Sequence, residues 1–75
     1  MRITVNGDVM DIEDASTVAG LLALLQIGRE RVAVETNMEI VPKASYDSHT
    51  LLPGDTIEIV HFVGGGTGDV DETGQ

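Results

Sequence analysis

Thr56-Ile57-Glu58-Ile59-Val60-His61-Phe62-Val63 is the most strand-like stretch of the chain, and the fold is read outward from it. Ile57 and Ile59 alternate with Glu58, the period of a strand with one face on a core and one in water. Pro53-Gly54-Asp55 is a turn leading into it. Immediately after it, four of the five residues of Gly64-Gly65-Gly66-Thr67-Gly68 are glycine, and Asp69 to Gln75 carry one apolar side chain, Val70. Nothing in residues 64–75 repays the entropy of ordering them. The expected organisation is a folded domain over residues 1–63 and a flexible glycine-rich, acidic tail over 64–75.

Upstream, Val32-Ala33-Val34 is extended, and Asn37-Met38-Glu39 turns the chain into Ile40-Val41. Pro42, lacking an N–H, belongs at a strand end or sheet edge. Residues 43–50 read as polar and irregular around Tyr46. Before these, Val18, Leu21, Leu22 and Leu25 follow the spacing of one apolar helix face, which Leu24 and Ile27 widen. Ser16 is the expected N-cap, with Glu13 and Asp14 near the positive end of the helix dipole. Gly28 is the expected C′ residue, with Arg29 and Arg31 beyond the negative end. Gly20 within the helix costs about 1 kcal/mol against alanine, so packing must hold so short an element. At the start, Ile3 and Val5 alternate with Arg2 and Thr4. Asn6-Gly7 suits a type I′ hairpin turn, and Val9 to Ile12 return antiparallel.

The order is strand, strand, helix, then three strands. Such a set buries most apolar surface as two layers, the sheet wrapping across the helix. The last strand is then expected beside the first, in the middle of the sheet. The predicted fold class is α+β: a ubiquitin-like β-grasp whose mixed sheet of four or five strands packs on one main helix.

Composition narrows the function. A chain of 75 residues and 7.9 kDa, 41% hydrophobic, holds one small domain with a real core. Without cysteine there is no disulfide scaffold and no thiolate-ligated zinc or iron–sulfur site. The longest apolar run, Val18 to Leu25, is far short of the ~20 residues that span a bilayer. Arg2 opens an alternating strand rather than a signal peptide, so a soluble, cytoplasmic domain is expected. Thirteen acidic against four basic residues give a formal charge of −9, which repels nucleic acid and anionic membranes and suits a basic protein partner. His49 and His61 lack the spacing of metal ligands, so no metal site is expected. Asp11, Glu13 and Asp14 lead into the helix and solvate it rather than forming an acid–base pair. Asp69, Asp71 and Glu72 do not make a calcium loop. No motif supports a hydrolase triad, and the glycine run lacks the adjacent Lys-Ser/Thr pair of a phosphate loop.

Glycine has no Cβ, so a glycine run can enter a channel too narrow for side chains and bring the backbone close to a nucleotide. A chain ending there presents an unhindered carboxylate, inert until activated as a mixed anhydride. A plain flexible linker is the competing reading.

In order and spacing, several short motifs together resemble the ThiS family, the ubiquitin-like sulfur carriers of thiamine biosynthesis. They are Asn6-Gly7, Thr17-Val18 with Leu21-Leu22, Val32-Ala33-Val34-Glu35-Thr36-Asn37 and Ile40-Val41-Pro42. Pro53-Gly54-Asp55 with Ile57-Glu58-Ile59-Val60, and Phe62-Val63-Gly64-Gly65-Gly66, complete the set, which covers residues 1–66. The small subunit of molybdopterin synthase is related, but Asn37-Met38-Glu39-Ile40-Val41-Pro42 resembles the thiamine carriers better.

The resemblance implies a protein cosubstrate rather than an enzyme. It binds no cofactor of its own. A ThiF-like, E1-like adenylyltransferase uses ATP and Mg to adenylate the terminal glycine, here Gly66. Sulfur from a persulfide then makes the thiocarboxylate, and a ThiG-like thiazole synthase takes that sulfur into the thiazole. Gly64 and Gly65 thread the tail, and the sheet face near Phe62 docks the activating enzyme. A free tail suits a monomer. One departure stands out: the family's chains stop at the second glycine of the pair, whereas nine residues follow Gly66 here. The resemblance therefore implies removal of residues 67–75, for which some such carriers use a metalloprotease. The alternatives are an acidic β-grasp interaction module with an unreactive tail, or a carrier or modifier for another pathway such as molybdopterin.

Overall fold

Two tight turns led by asparagine set the strand pairing. Asn6 (φ 49°) and Gly7 (φ 87°) join β1 (Arg2–Val5) to β2 (Asp8–Asp11), with Val5 opposite Asp8. Asn37 (φ 51°) and Met38 (φ 72°) join β3 (Val32–Thr36) to β4 (Glu39–Val41), with Thr36 opposite Glu39. Both are two-residue loops with two positive φ angles, whose twist matches that of the flanking strands. The last strand, β5 (Thr56–His61), lies between β1 and β3. It runs parallel to β1 and antiparallel to β3, so the sheet order is β2-β1-β5-β3-β4. The computed structural model describes residues 1–62; Val63 and the tail, including Gly64, Gly65 and Gly66, lie outside the described residues.

The predicted two-layer wrap is present, with five strands. Ile3, Val5, Val32, Val34, Ile57 and Ile59 point from the sheet into the core, where Val18, Leu21 and Leu22 of α1 (Val18–Leu24) meet them. Ile57 and Ile59 are buried and Glu58 is exposed, as their alternation predicts.

The helix ends differ from the sequence reading. Thr17, not Ser16, is the N-cap: its Oγ1 accepts from the Gly20 N–H at 3.0 Å. Ala15, at φ 65°, has already reversed the chain, and the Ser16 hydroxyl is turned back to the Glu13 carbonyl at 2.7 Å. At the other end Gln26, not Gly28, takes the left-handed C′ position, at φ 61°. The Ile27 N–H reaches the Leu22 carbonyl at 2.9 Å and the Gln26 N–H reaches Ala23 at 3.1 Å, the two bonds of a Schellman cap. Ile27 packs against the core, and that apolar contact fixes where the helix stops. Gly28, at φ −69°, instead precedes a 3-10 turn over Arg29–Arg31. Leu24 does not widen the buried face; it is 60% exposed.

Residues 43–50 are more ordered than their composition suggests. A second 3-10 turn over Lys43–Ser45 swings Tyr46 inward until it is 1% exposed, its hydroxyl donating to the Val32 carbonyl at 3.3 Å. The carbonyls of Tyr46 and His49 accept the Ala19 and Val18 N–H groups at 2.8 and 3.0 Å. With Thr17 capping Gly20, the first turn of a seven-residue helix has its free donors satisfied from outside. Tertiary structure thus replaces the propensity that so short a helix lacks.

Gln26 sits in a backbone region that disfavours residues with a Cβ and suits glycine. Gln26→Gly is expected to raise the unfolding free energy by about 0.5–1 kcal/mol, read from the urea midpoint. A lowered midpoint would show that the Gln26 side chain holds the cap.

Candidate functional site

The last described residue, Phe62, follows β5 at the centre of the sheet. β1 pairs with β5 only at Thr4–Thr56 and Val5–Ile57. Past that point the Asn6 side chain takes over: its Oδ1 accepts from the Ile59 N–H at 2.7 Å and its Nδ2 donates to the Ile59 carbonyl at 3.3 Å. Asn37 does the same at the start of β5. Its Oδ1 accepts from the Thr56 N–H at 3.0 Å, and its Nδ2 donates to Asp55 Oδ1 at 3.0 Å. Asp55, 9% exposed, also accepts the Leu52 N–H at 2.9 Å, which closes the turn around Pro53-Gly54. Thus the asparagines that shape the two hairpins also hold the central strand, Asn37 at its first residue and Asn6 at Ile59. Sequence reading found Asn6 as a turn residue and missed this second role, because the partner lies 53 positions away.

A clasp at the exit of β5 comes from the two 3-10 turns. The Phe62 N–H donates to the Arg31 carbonyl at 3.0 Å. Lys43 Nζ donates to the Glu30 carbonyl at 2.9 Å and stands 5.4 Å from the centre of the Phe62 ring. Arg29 ties one turn to the other through two bonds of 3.1 Å to the Asp47 carboxylate, and its guanidinium lies 5.6 Å from the Tyr46 ring centre. The hydrogen bonds from Arg29, and then its charge, hold the Asp47 carboxyl below its ordinary value.

The outer face of the sheet is not covered by the helix. Val60 of β5 and Phe62 just after it project on this side, and Ile40 lies two strands away on β4, in the row of Glu35 and Glu58; Val60, Phe62 and Ile40 are all exposed. Glu35 and Glu58 stand directly opposite each other on β3 and β5, between Ile40 and the Asn6 turn. Like charges facing across strands work against stability. A face with exposed apolar side chains beside an acidic pair fits a surface that is apolar and basic. Tyr46 is not part of it; it is a core residue. Phe62, 59% exposed, is on it.

His49 contacts Thr36 at 3.3 Å, and among the described residues no three His, Asp or Glu side chains are grouped to hold a metal ion. Asp14 pairs with the Met1 ammonium at 3.1 Å, and Asp11 lies 3.7 Å from Arg2. These acids serve the fold. No described helix is long and apolar enough to cross a membrane.

Residues 3–66 match the model of the ThiS family. The chain is 46% identical over 65 residues to the sulfur carrier protein ThiS of Bacillus subtilis, covering 85% of this chain and 98% of that one. It is 42% identical over 71 residues to a thiazole synthase of Paramagnetospirillum magneticum, 95% of this chain but only 22% of that protein. The chain therefore spans about a fifth of that relative's length. Its structure resembles the crystal structure of the thiamine biosynthesis protein ThiS from Geobacter metallireducens. The TM-score is 0.76 at 35% identity, over 88% of this chain and all of that one.

The Asn6 clamp can be removed without losing the turn, since glycine also adopts its φ. Asn6→Gly is expected to cost about 1–2 kcal/mol of stability and to speed amide hydrogen exchange at Ile59. Unchanged exchange at Ile59 would show that β5 needs no support from this side chain.

Proposed function

The chain belongs to the ThiS family, and on that premise we propose that it is a sulfur carrier whose working group is the Gly66 carboxylate. The carrying observation is where the match to the carriers stops: the family match ends at residue 66, and the Bacillus subtilis carrier is matched over 98% of its length by 65 residues. The protein is then a cosubstrate, not a catalyst. An E1-like activating enzyme adenylates the carboxylate with Mg-ATP, sulfur replaces the adenylate, and thiazole synthase takes the sulfur from the thiocarboxylate. The cytoplasm, which supplies ATP, is the setting this chemistry requires.

As a peptide carbonyl, Gly66 cannot be adenylated, so residues 67–75 are removed first. The match to the thiazole synthase of Paramagnetospirillum magneticum extends into that segment, over at least five of its nine residues. A match over 71 residues of this 75-residue chain leaves out at most four, fewer than the nine that follow Gly66. The central placement of β5 supports the delivery step. Gly64 and Gly65 follow a strand that Asn37 holds at its start and Asn6 holds at Ile59, which supports delivery from a fixed point. The outer face with Val60, Phe62 and the Glu35–Glu58 pair docks the activating enzyme, whose matching surface is apolar with basic residues at its centre.

The test is ATP–pyrophosphate exchange with the activating enzyme. A chain ending at Gly66 is expected to support exchange and the chain ending at Gln75 is not. Gly66→Val in the shortened chain should cut exchange by at least about a hundredfold with its urea midpoint unchanged. Equal exchange by the long and short chains would contradict the proposal, as would full activity of the Gly66→Val form.

A further inference from the structure

Asn6-Gly7 is the chain's one asparagine–glycine pair, and Asn37-Met38 holds its only other asparagine. The carboxamide carbon of an asparagine is an electrophile, and the backbone nitrogen of the next residue can attack it to close a five-membered succinimide. A side chain on that next residue crowds the nitrogen, whereas glycine leaves it open. Gly7 has nothing within 4 Å of where a Cβ would stand, and both residues of the pair are exposed to water. The Asn6 side chain, however, is turned away from Gly7 and toward β5. Its Oδ1 accepts from the Ile59 N–H at 2.7 Å and its Nδ2 donates to the Ile59 carbonyl at 3.3 Å. The carboxamide carbon lies between those two atoms, so ring closure has to give up both bonds.

We propose that Asn6 is a deamidation site whose rate is set by the opening of its clamp on β5. The Gly7 nitrogen bonds to Cγ of Asn6, the Cγ–Nδ2 bond breaks, and ammonia leaves with the electron pair and the Gly7 amide proton. Water then opens the ring at either carbonyl, which leaves an aspartyl or an isoaspartyl residue at position 6. Water is the only co-reactant. Either product ends the clamp. An aspartyl carboxylate has no N–H, and it turns an oxygen toward the Ile59 carbonyl where Nδ2 had donated. An isoaspartyl linkage runs the main chain through the side-chain CH2 and lengthens a turn that has to bring Val5 opposite Asp8. Since β1 pairs with β5 at only two positions, the loss falls where the sheet has least to replace it. A momentary opening between β1 and β5 thereby becomes a permanent one, whether or not the chain carries sulfur.

Incubation of the full chain in mildly alkaline buffer with graded urea tests this, the product at position 6 being followed by peptide mass and by isoaspartyl methylation. In the folded protein the rate is expected to be about tenfold or more below that of the unfolded chain. It should rise with urea in step with amide hydrogen exchange at Ile59, whose N–H reports the clamp directly. Asn6→Asp, the simpler product, should lower the urea midpoint by about 1 M. Equal rates in the folded and unfolded chain overturn the proposal, and so does a rate that does not follow exchange at Ile59. An unchanged midpoint in Asn6→Asp would show that the clamp survives the reaction and would overturn it as well.

Discussion

The structure depends on placing its last strand in the middle of its sheet. β5 closes the core through Ile57 and Ile59 and pairs with β1 and β3, so the domain is incomplete until nearly all of it has been made. The parallel contact with β1 is brief, and two turn asparagines supply the hydrogen bonds that longer pairing would have given. The proposed function is tied to the same strand. A carrier has to offer its end to a partner from a fixed origin, and a strand held on both flanks is a stiffer origin than an edge strand.

The two faces of the sheet divide the work. The inner face is closely apolar and holds the helix, whose seven residues are sustained by capping from Thr17 and by carbonyls of the segment around Tyr46. The outer face tolerates arrangements that cost stability. Glu35 faces Glu58, and Val60, Phe62 and Ile40 stand in solvent. Such features have no structural return within the domain itself. The few cations are arranged with similar economy. Arg29 is spent joining the two 3-10 turns, and Lys43 covers the aromatic ring at the exit of the chain.

Much of the fold was legible because it follows from short-range chemistry. Asn6-Gly7 and Asn37-Met38 gave the hairpins, the 3.6-residue spacing of Val18, Leu21 and Leu22 gave the helix, and the alternation of Ile57, Glu58 and Ile59 gave the last strand. The misread details depend on distant partners or on competition between neighbours. Ser16 and Thr17 are equivalent caps in sequence; the Ala15 reversal and the seat of Val18 in the core decide between them. Gly28 is the better C′ residue by propensity, yet the burial of Ile27 puts Gln26 there. Tyr46 sits among polar residues and gave no periodic signal, although it fills the core. At the site, Phe62 on the outer face was legible, whereas the clamp of Asn6 on Ile59 and the clasp of Lys43 on Phe62 join segments far apart in the chain.

The most direct measurement is the intact mass of the untagged protein recovered from a host that must make its own thiamine. The account predicts a chain ending at Gly66 in which one carboxylate oxygen has been replaced by sulfur. A population that remains intact to Gln75 under those conditions would contradict it.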